Sequence, residues 1–274
     1  VTAAYYVYGI PDFRVPAVQI RVHGERTMLV SGPLRVYAPN PRYFADANGR
    51  AIVLTGLHTW ANFSDNGFGD PPPVFDYRGY LDFLVANNLN FTRLWAWEQA
   101  RWAPWLWSDD YYYSPGPPYE RTGPGKALDG KPKFDLRRLS PSYFARLRSR
   151  VIEARDRGIY VAIMLFNGWS IDKDHGHRGN PWKGHPFNRW NNINGINGDL
   201  NGDDSGAETH QLLTPEITAY QESYVRRVID SVNDLDNVLF EVSNESYSNS
   251  KAWQYHMIDF IHSYEATKPK QHPV

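Results

Sequence analysis

The sequence predicts an α/β fold in which a parallel sheet is covered by helices. Short strands that are apolar throughout are each followed by an amphipathic helix, which is typical of parallel sheets buried on both faces. An open doubly wound sheet and a closed (β/α)8 TIM barrel share this local pattern. Because no Gly-rich phosphate loop follows a strand, the barrel is favoured over the open sheet. We expect the barrel to be truncated after about four βα units.

The predicted elements follow in regular order from residue 51. Strands are expected at residues 51–57, 90–95, 159–165 and 237–242. Helices are expected at residues 77–87, at 141–157 after Ser140 as N-cap, from Pro215 onward, and from Trp253 to Tyr264. Gly158 ends the second helix. Two long loops, 96–139 and 167–213, follow strand ends, where barrel enzymes place their active sites.

The N-terminal residues predict a separate β region. Residues 17–22 and 27–36 alternate weakly around residues 23–26, so residues 1–36 are assigned to a β-hairpin extension or to the tail of an upstream β module. Residues 37–274 are assigned to the first half of the barrel. The chain begins with Val, and residues 268–274 resemble the exit from a helix into a further strand, so we expect a piece of a longer protein.

The composition excludes several classes of protein. The 29 basic and 30 acidic side chains nearly cancel, so no charge footprint for nucleic acid or an anionic membrane is present. No apolar run approaches the roughly 18 residues of a membrane-spanning helix. The absence of cysteine excludes disulfides, thiolate zinc sites and cysteine nucleophiles, and no protein partner can be inferred.

An Asn-Glu pair after the fourth strand is the sharpest candidate for chemistry. If Glu245 points into the mouth of the barrel, its carboxyl group can protonate a leaving glycosidic oxygen, while the Asn244 amide donates to a neighbouring hydroxyl. The structural alternative, of about equal weight, is that Glu245 caps a turn that Asn244 bends.

Arg93 lies in the second strand on the same face as Phe91 and Trp95. If this face is inward, the guanidinium needs a carboxylate, and Glu241 and Glu245 are the candidates. If the face is outward, Arg93 is an ordinary side chain in contact with a helix.

Aromatic side chains concentrate after the second strand, and further polar and aromatic residues follow the other strands. The aromatic run contains Trp95, Trp97, Trp102, Trp105, Trp107 and Tyr111–Tyr113. The strand ends add His58 with Trp60, Glu98, and Asn167 with Trp169. Flat rings stack on the apolar faces of sugars, so these residues are candidates for carbohydrate binding. The alternative is a loop with its own aromatic core, from which about two rings meet a ligand.

Two segments of the second long loop suggest metal ions. Residues 197–208 match the calcium-loop pattern except at the first position, with Gly202 at the tight turn. The oxygen ligands would come from Asn197, Asp199, Asn201, the Asp203 carbonyl and Glu208. A solvated polar loop is the simpler interpretation. His175, His177 and His185, with His58, suggest a transition-metal site.

Four segments together resemble the first four strands of clan A glycoside hydrolases. They are Thr-Gly-Leu-His-Thr-Trp at 55–60, Asn-Phe-Thr-Arg-Leu-Trp at 90–95, Gly-Ile-Tyr-Val-Ala-Ile-Met-Leu at 158–165 and Glu-Val-Ser-Asn-Glu at 241–245. The lead-in at residues 40–49 is similar to that of apiosidase-like proteins, and the resemblance to apiosidase-like and cellulase-like bacterial barrels covers residues 34–274. In that group Pro often follows the Asn-Glu pair, whereas this chain has Ser246.

The resemblance implies a retaining glycoside hydrolase, secreted or periplasmic, that acts on plant or microbial polysaccharide without a required cofactor. Glu245 would be the general acid/base, Asn244 would bind a hydroxyl, and Arg93 would support the carboxylates. The nucleophile would follow the seventh strand of the barrel, which we expect beyond residue 274. We therefore expect the fragment alone to be inactive. The alternatives are a metal-dependent hydrolase on a similar barrel and a non-catalytic carbohydrate-binding protein.

Overall fold

A computed structural model describes residues 30–102, 110–172 and 179–274 of the chain. The strands are β1 (Arg35–Val36), β2 (Phe44–Ala45), β3 (Ala51–Ile52), β4 (Gly67–Phe68), β5 (Phe91–Leu94), β6 (Arg101–Trp102), β7 (Tyr112–Tyr113), β8 (Tyr119–Lys126), β9 (Pro132–Leu139), β10 (Tyr160–Asn167) and β11 (Val238–Asn244). The α-helices are α1 (Tyr77–Ala86), α2 (Pro141–Arg155), α3 (Pro215–Val232) and α4 (Lys251–Glu265). Four short 3-10 helices lie at Gly168–Ile171, Pro181–Gly184, Ala207–His210 and Ser248–Ser250.

The central sheet is parallel, and its strands lie side by side in chain order. β10 pairs with β5 on one side and with β11 on the other. A single parallel bridge joins Gly56 to Phe91, and the Phe240 N–H donates to the Pro273 carbonyl at 2.8 Å, so both ends of the sheet have a further neighbour. A side chain at residue 56 would meet the Phe91 carbonyl oxygen at 1.7 Å, so only glycine permits this approach. Across the described ranges the sheet does not close into a barrel.

The two faces of the sheet have different partners. One face, which includes Val161, Ile163 and Val238, packs against the four α-helices in the largest core cluster. The other face, which includes Ala162 and Leu239, packs against Leu34 and the small antiparallel sheet β1–β2–β3. This second face is the inner face of the predicted barrel, because the helices cover the first.

The helices begin and end close to the predicted residues. Pro141 and Pro215 start α2 and α3, and Gly158 follows α2 with a φ of 73°. Ser140 precedes α2 as predicted, but its side chain makes no capping bond and instead contacts the Ser142 hydroxyl at 3.0 Å.

The first predicted strand and the first long loop differ from expectation. Residues 51–57 do not form one strand: Ala51–Ile52 joins the antiparallel sheet, and only Gly56 touches the parallel sheet. The loop 96–139 contains the β8–β9 hairpin, which lacks strand periodicity because of a bulge near Gly123 and Gly125. Residues 1–29, which contain most of the predicted N-terminal hairpin, lie outside the described residues. No helix among the described residues is long and apolar enough to cross a membrane.

Candidate active site

Arg93 of β5 contacts two residues of β11 on the inner face of the sheet. Its Nε donates to Glu241 Oε2 at 2.7 Å, and its Nη2 makes a second, short contact with the other carboxylate oxygen. The same Nη2 donates to Asn244 Oδ1 at 3.1 Å. The side chains of Arg93 and Glu241 are 23% and 27% exposed, so this pair is partly shielded from water. The outward alternative for Arg93 is therefore wrong, and of its two candidate partners Glu241 makes the ion pair.

Asn244 and Glu245 lie at the carboxyl end of β11. Because Asn244 Oδ1 accepts from Arg93, the orientation of the amide is set, and its Nδ2 is buried without a hydrogen-bond partner among the described residues. Glu245 is exposed and has a φ of 52°, a left-handed conformation that is uncommon for a non-glycine residue. Gly168 lies directly beneath: a Cβ there would be 2.3 Å from the Glu245 carbonyl oxygen. The end of β10 and the turn after β11 are thus in close backbone contact.

A pocket beside Glu245 is walled by indole rings, and we call it the tryptophan pocket. Its lining residues are Glu245, Trp60, Trp95, Trp97, Trp102 and Trp169. Trp97 lies edge-on to Trp60 and Trp169, with ring centroids 6.0 and 5.4 Å away, and donates its Nε1–H to the Trp60 carbonyl at 2.8 Å. The Nε1–H groups of Trp95 and Trp102 are buried and have no hydrogen-bond partner in the described part of the chain.

The tyrosines at the end of the aromatic run are partly or largely exposed. Tyr112 stacks on Trp102 at 4.6 Å, while Tyr111 is 43% exposed and lies under the guanidinium of Arg101. Trp105 and Trp107 lie outside the described residues. The aromatic loop therefore contributes both to the core and to the tryptophan pocket.

His58 and Asn167 occupy different environments. His58 stacks on Trp95 at 4.6 Å, next to Arg93, and burial together with the Arg93 charge lowers the pKa of His58. Asn167 is fully buried; its Oδ1 accepts from the Trp169 N–H at 3.2 Å, and its Nδ2 donates to the Ala96 carbonyl at 3.3 Å. Asn167 therefore braces the strand ends and does not line the tryptophan pocket.

Glu98 forms a buried cluster with two histidines, which the spacing of these residues in the sequence did not indicate. Its Oε1 accepts from the Asn167 N–H at 2.6 Å and lies 3.3 Å from His210 Nε2, while its Oε2 lies 3.2 Å from His185 Nε2. The Phe187 N–H donates to His185 Nδ1 at 3.0 Å, so Nε2 of His185 holds the proton and donates to Glu98. Burial raises the pKa of Glu98, but the nearby charge of His210 and the hydrogen bond from His185 outweigh this effect and lower the pKa to about 2. Glu98 does not line the tryptophan pocket, and the Asn167 N–H and the two histidines contact its carboxylate oxygens.

The predicted calcium loop is organised by its own hydrogen bonds. The Asp199 carboxylate accepts from the backbone N–H groups of Gly202, Asp203 and Asp204 at 2.7 to 3.1 Å. Asn197 bonds to the backbone of Asp199, and Asn201 accepts from the Asp203 N–H at 2.9 Å. Burial raises the pKa of Glu208, whose Oε2 is buried. The calcium site stays a prediction.

The predicted transition-metal site is only partly described. His175 and His177 lie outside the described residues, and His185 belongs to the Glu98 cluster. Within residues 30–102, 110–172 and 179–274, no group of three or more histidine or acidic side chains is arranged to hold a metal ion.

The fold of the described residues is similar to part of the fold of known glycoside hydrolases. A candidate glycoside hydrolase and a family 5 glycoside hydrolase, both from Bacteroides vulgatus, align with TM-scores of 0.51 and 0.50 at 16% and 13% identity, covering 88% and 90% of this chain. A family 5 mannosidase from Rhizomucor miehei aligns over 88% of this chain with a TM-score of 0.52 and 13% identity. The chain spans 37%, 40% and 54% of the length of these three structures.

The chain belongs to the family described as a domain of unknown function, DUF6298, whose model matches residues 98–274. No curated protein matches the chain.

Proposed function

We propose that this protein is a glycoside hydrolase in which Glu245 acts as the general acid/base. One observation carries the proposal: an exposed carboxyl group at the end of a parallel strand lies beside an oriented amide and a pocket of indole rings. Carboxyl groups that flank a glycosidic bond are the usual catalysts of its hydrolysis.

The residues on the inner face have distinct roles in this mechanism. Glu245 protonates the leaving glycosidic oxygen and later deprotonates water. Asn244 binds a sugar hydroxyl next to the reacting carbon, and Arg93 holds its amide in a fixed orientation. Glu241 is neutralised by Arg93, so it is poorly suited to be the nucleophile. We propose that the nucleophile is a carboxylate outside these 274 residues and that the configuration at the anomeric carbon is retained.

The tryptophan pocket favours an uncharged sugar with an apolar face. Among the described residues its lining contains no basic side chain that would pair with a uronic acid, and its indole rings offer flat apolar surfaces on which a sugar can stack. We propose a polysaccharide of plant or microbial origin as the source of this sugar, and a secreted or periplasmic location for the enzyme.

The test uses the complete polypeptide that the gene encodes and a panel of neutral glycosides with alkyl and with nitrophenyl leaving groups. We expect Glu245→Gln to lower turnover of the alkyl glycosides by about 10²–10⁴-fold, because general acid catalysis contributes this much. Glu216→Gln, which changes an exposed glutamate in the first turn of α3, is the matched control and should retain activity.

Two other results would favour a different function. Sugar binding that is unchanged in Glu245→Gln, with no hydrolysis by either protein, would indicate a non-catalytic carbohydrate-binding protein. Stoichiometric zinc or manganese, with activity lost to a chelator, would indicate a metal-dependent hydrolase.

A further inference from the structure

We propose that Ser246, His210 and Glu98 form a chain of polar contacts that holds Glu245 in the position needed for proton transfer. The proposal rests on the proposed function, since it assigns positioning residues to the acid/base. It concerns groups that neither bind the sugar nor take part in the reaction itself.

The contacts run from the turn at Glu245 into the interior. Ser246, the next residue, places its Oγ 3.2 Å from His210 Nδ1 and in short contact with the Ser243 hydroxyl. On the opposite side of the ring, His210 Nε2 lies 3.3 Å from Glu98 Oε1, although the alignment is poor for a hydrogen bond and the attraction is mainly electrostatic. The chain thus joins the turn after β11 to the segment after β5.

The imidazole ring of His210 is held firmly between these ends. The ring is fully buried and stacks on Trp253 of α4 with centroids 4.2 Å apart and planes 6° apart. The ring also packs nearly at a right angle to Phe166, with the ring centroids 5.8 Å apart. Glu98 is held in turn by the Asn167 N–H and by His185. Each member of the chain therefore has its orientation set by packing or by other hydrogen bonds.

The turn needs such support because Glu245 has a left-handed backbone conformation. A non-glycine residue is disfavoured in this region, so the surrounding structure must hold it there. The hydroxyl of Ser246, the next residue, contacts His210 and Ser243 and so restrains the turn.

A hydroxyl, an imidazole and a carboxylate in series also form the nucleophile triad of serine hydrolases. Two observations favour positioning over nucleophilic attack. The Ser246 hydroxyl is shared with Ser243, and His210 is sealed behind Trp253 and Phe166, where it could not pass a proton to a leaving group.

The test compares Ser246→Ala with Ser149→Ala, which removes an exposed helix serine that contacts Glu153. A misplaced acid slows departure of poor leaving groups but matters little for a 2,4-dinitrophenyl leaving group, which needs no proton. We expect Ser246→Ala to lower kcat/KM for alkyl glycosides about 10–100-fold and to leave kcat/KM for the dinitrophenyl glycoside within about 3-fold of wild type, because kcat/KM reports cleavage of the glycosidic bond and not the later attack of water. Equal losses for both leaving groups, or no loss for either, would overturn the positioning role.

A second readout does not depend on activity. We expect the ¹⁵N resonance of His210 Nδ1 to move in Ser246→Ala and that of Nε2 to move in Glu98→Gln, each relative to wild type. An unchanged Nδ1 resonance would overturn the contact chain, and covalent labelling of Ser246 by a fluorophosphonate would overturn it in favour of a nucleophile. If the wild type cleaves no glycoside at all, the proposed function fails, and the Nδ1 resonance alone then supports or overturns the chain.

Discussion

Replacing Gly168 with alanine places a methyl group against the turn that bears Glu245. The new Cβ would lie 2.3 Å from the Glu245 carbonyl oxygen and 2.5 Å from Ser246 Cα. Since non-bonded contacts of Cβ are rarely closer than about 3.0 Å, the turn must move by about 0.7 Å. The atoms in the way belong to the backbone, so rotation of a side chain cannot relieve the clash. We expect a loss of about 2–3 kcal/mol in the free energy of unfolding, at the upper end for overpacking.

The measurement is thermal unfolding together with turnover of alkyl glycosides. For a domain of this size the loss corresponds to a decrease in Tm of about 5–10 °C. A displacement approaching 1 Å is enough to lower turnover by up to about 10²-fold. Gly67→Ala is the control, because its Cβ would meet Pro73 Cδ at 3.4 Å, an ordinary contact. A Gly168→Ala protein with the Tm and turnover of wild type would show that the turn is not packed against β10 in this way.

Three further predictions address charge and binding. Glu98 has a pKa of about 2, below its unfolded value of 4.5, so its stabilisation is complete above about pH 5 and is lost as the pH falls. The difference in unfolding free energy between wild type and Glu98→Gln should therefore shrink by about 2 kcal/mol from pH 5.5 to pH 3 in urea titrations, and a constant difference would contradict this. A double-mutant cycle with Arg93→Met and Glu241→Met should give a coupling free energy of about 2 kcal/mol. This value lies between those of surface and of buried ion pairs, because both side chains are about a quarter exposed. Additive effects of the two substitutions would show that the pair is not formed. Trp60→Ala should weaken the binding of a neutral oligosaccharide at least about tenfold by calorimetry without a large change in Tm, because Trp60 is 43% exposed in the pocket wall; unchanged affinity would remove Trp60 from the site.

The regular elements could be predicted because local signals and burial agreed there. Helices α2 and α3 begin at proline residues, and β10 is buried along its whole length, so periodicity and turn residues indicated the same structure. The first strand was predicted to be longer than it is, because an apolar run does not indicate which sheet its residues join. The β8–β9 hairpin escaped prediction because its strands contain Gly and Pro, which weaken the strand signal.

The candidate site was predictable where residues follow strands and was not where loops supply them. Arg93 could be placed on the inner face from strand parity, and Asn244 and Glu245 could be placed at the edge where the parallel strands end. His210 and His185 could not, because they come from irregular segments whose path depends on packing against Trp253 and Glu98.

By itself, the amino-acid sequence determined the alternation of buried strands and amphipathic helices, and with it the edge of the sheet at which the functional side chains gather. Only the tertiary structure decided that Glu98 faces inward to two histidines, that Glu241 and not Glu245 pairs with Arg93, and which indole rings form a pocket. The physical reason is that periodicity reports the environment of each element separately. Partner choice among charges and rings depends on distances between segments far apart in the chain, and only packing sets those distances.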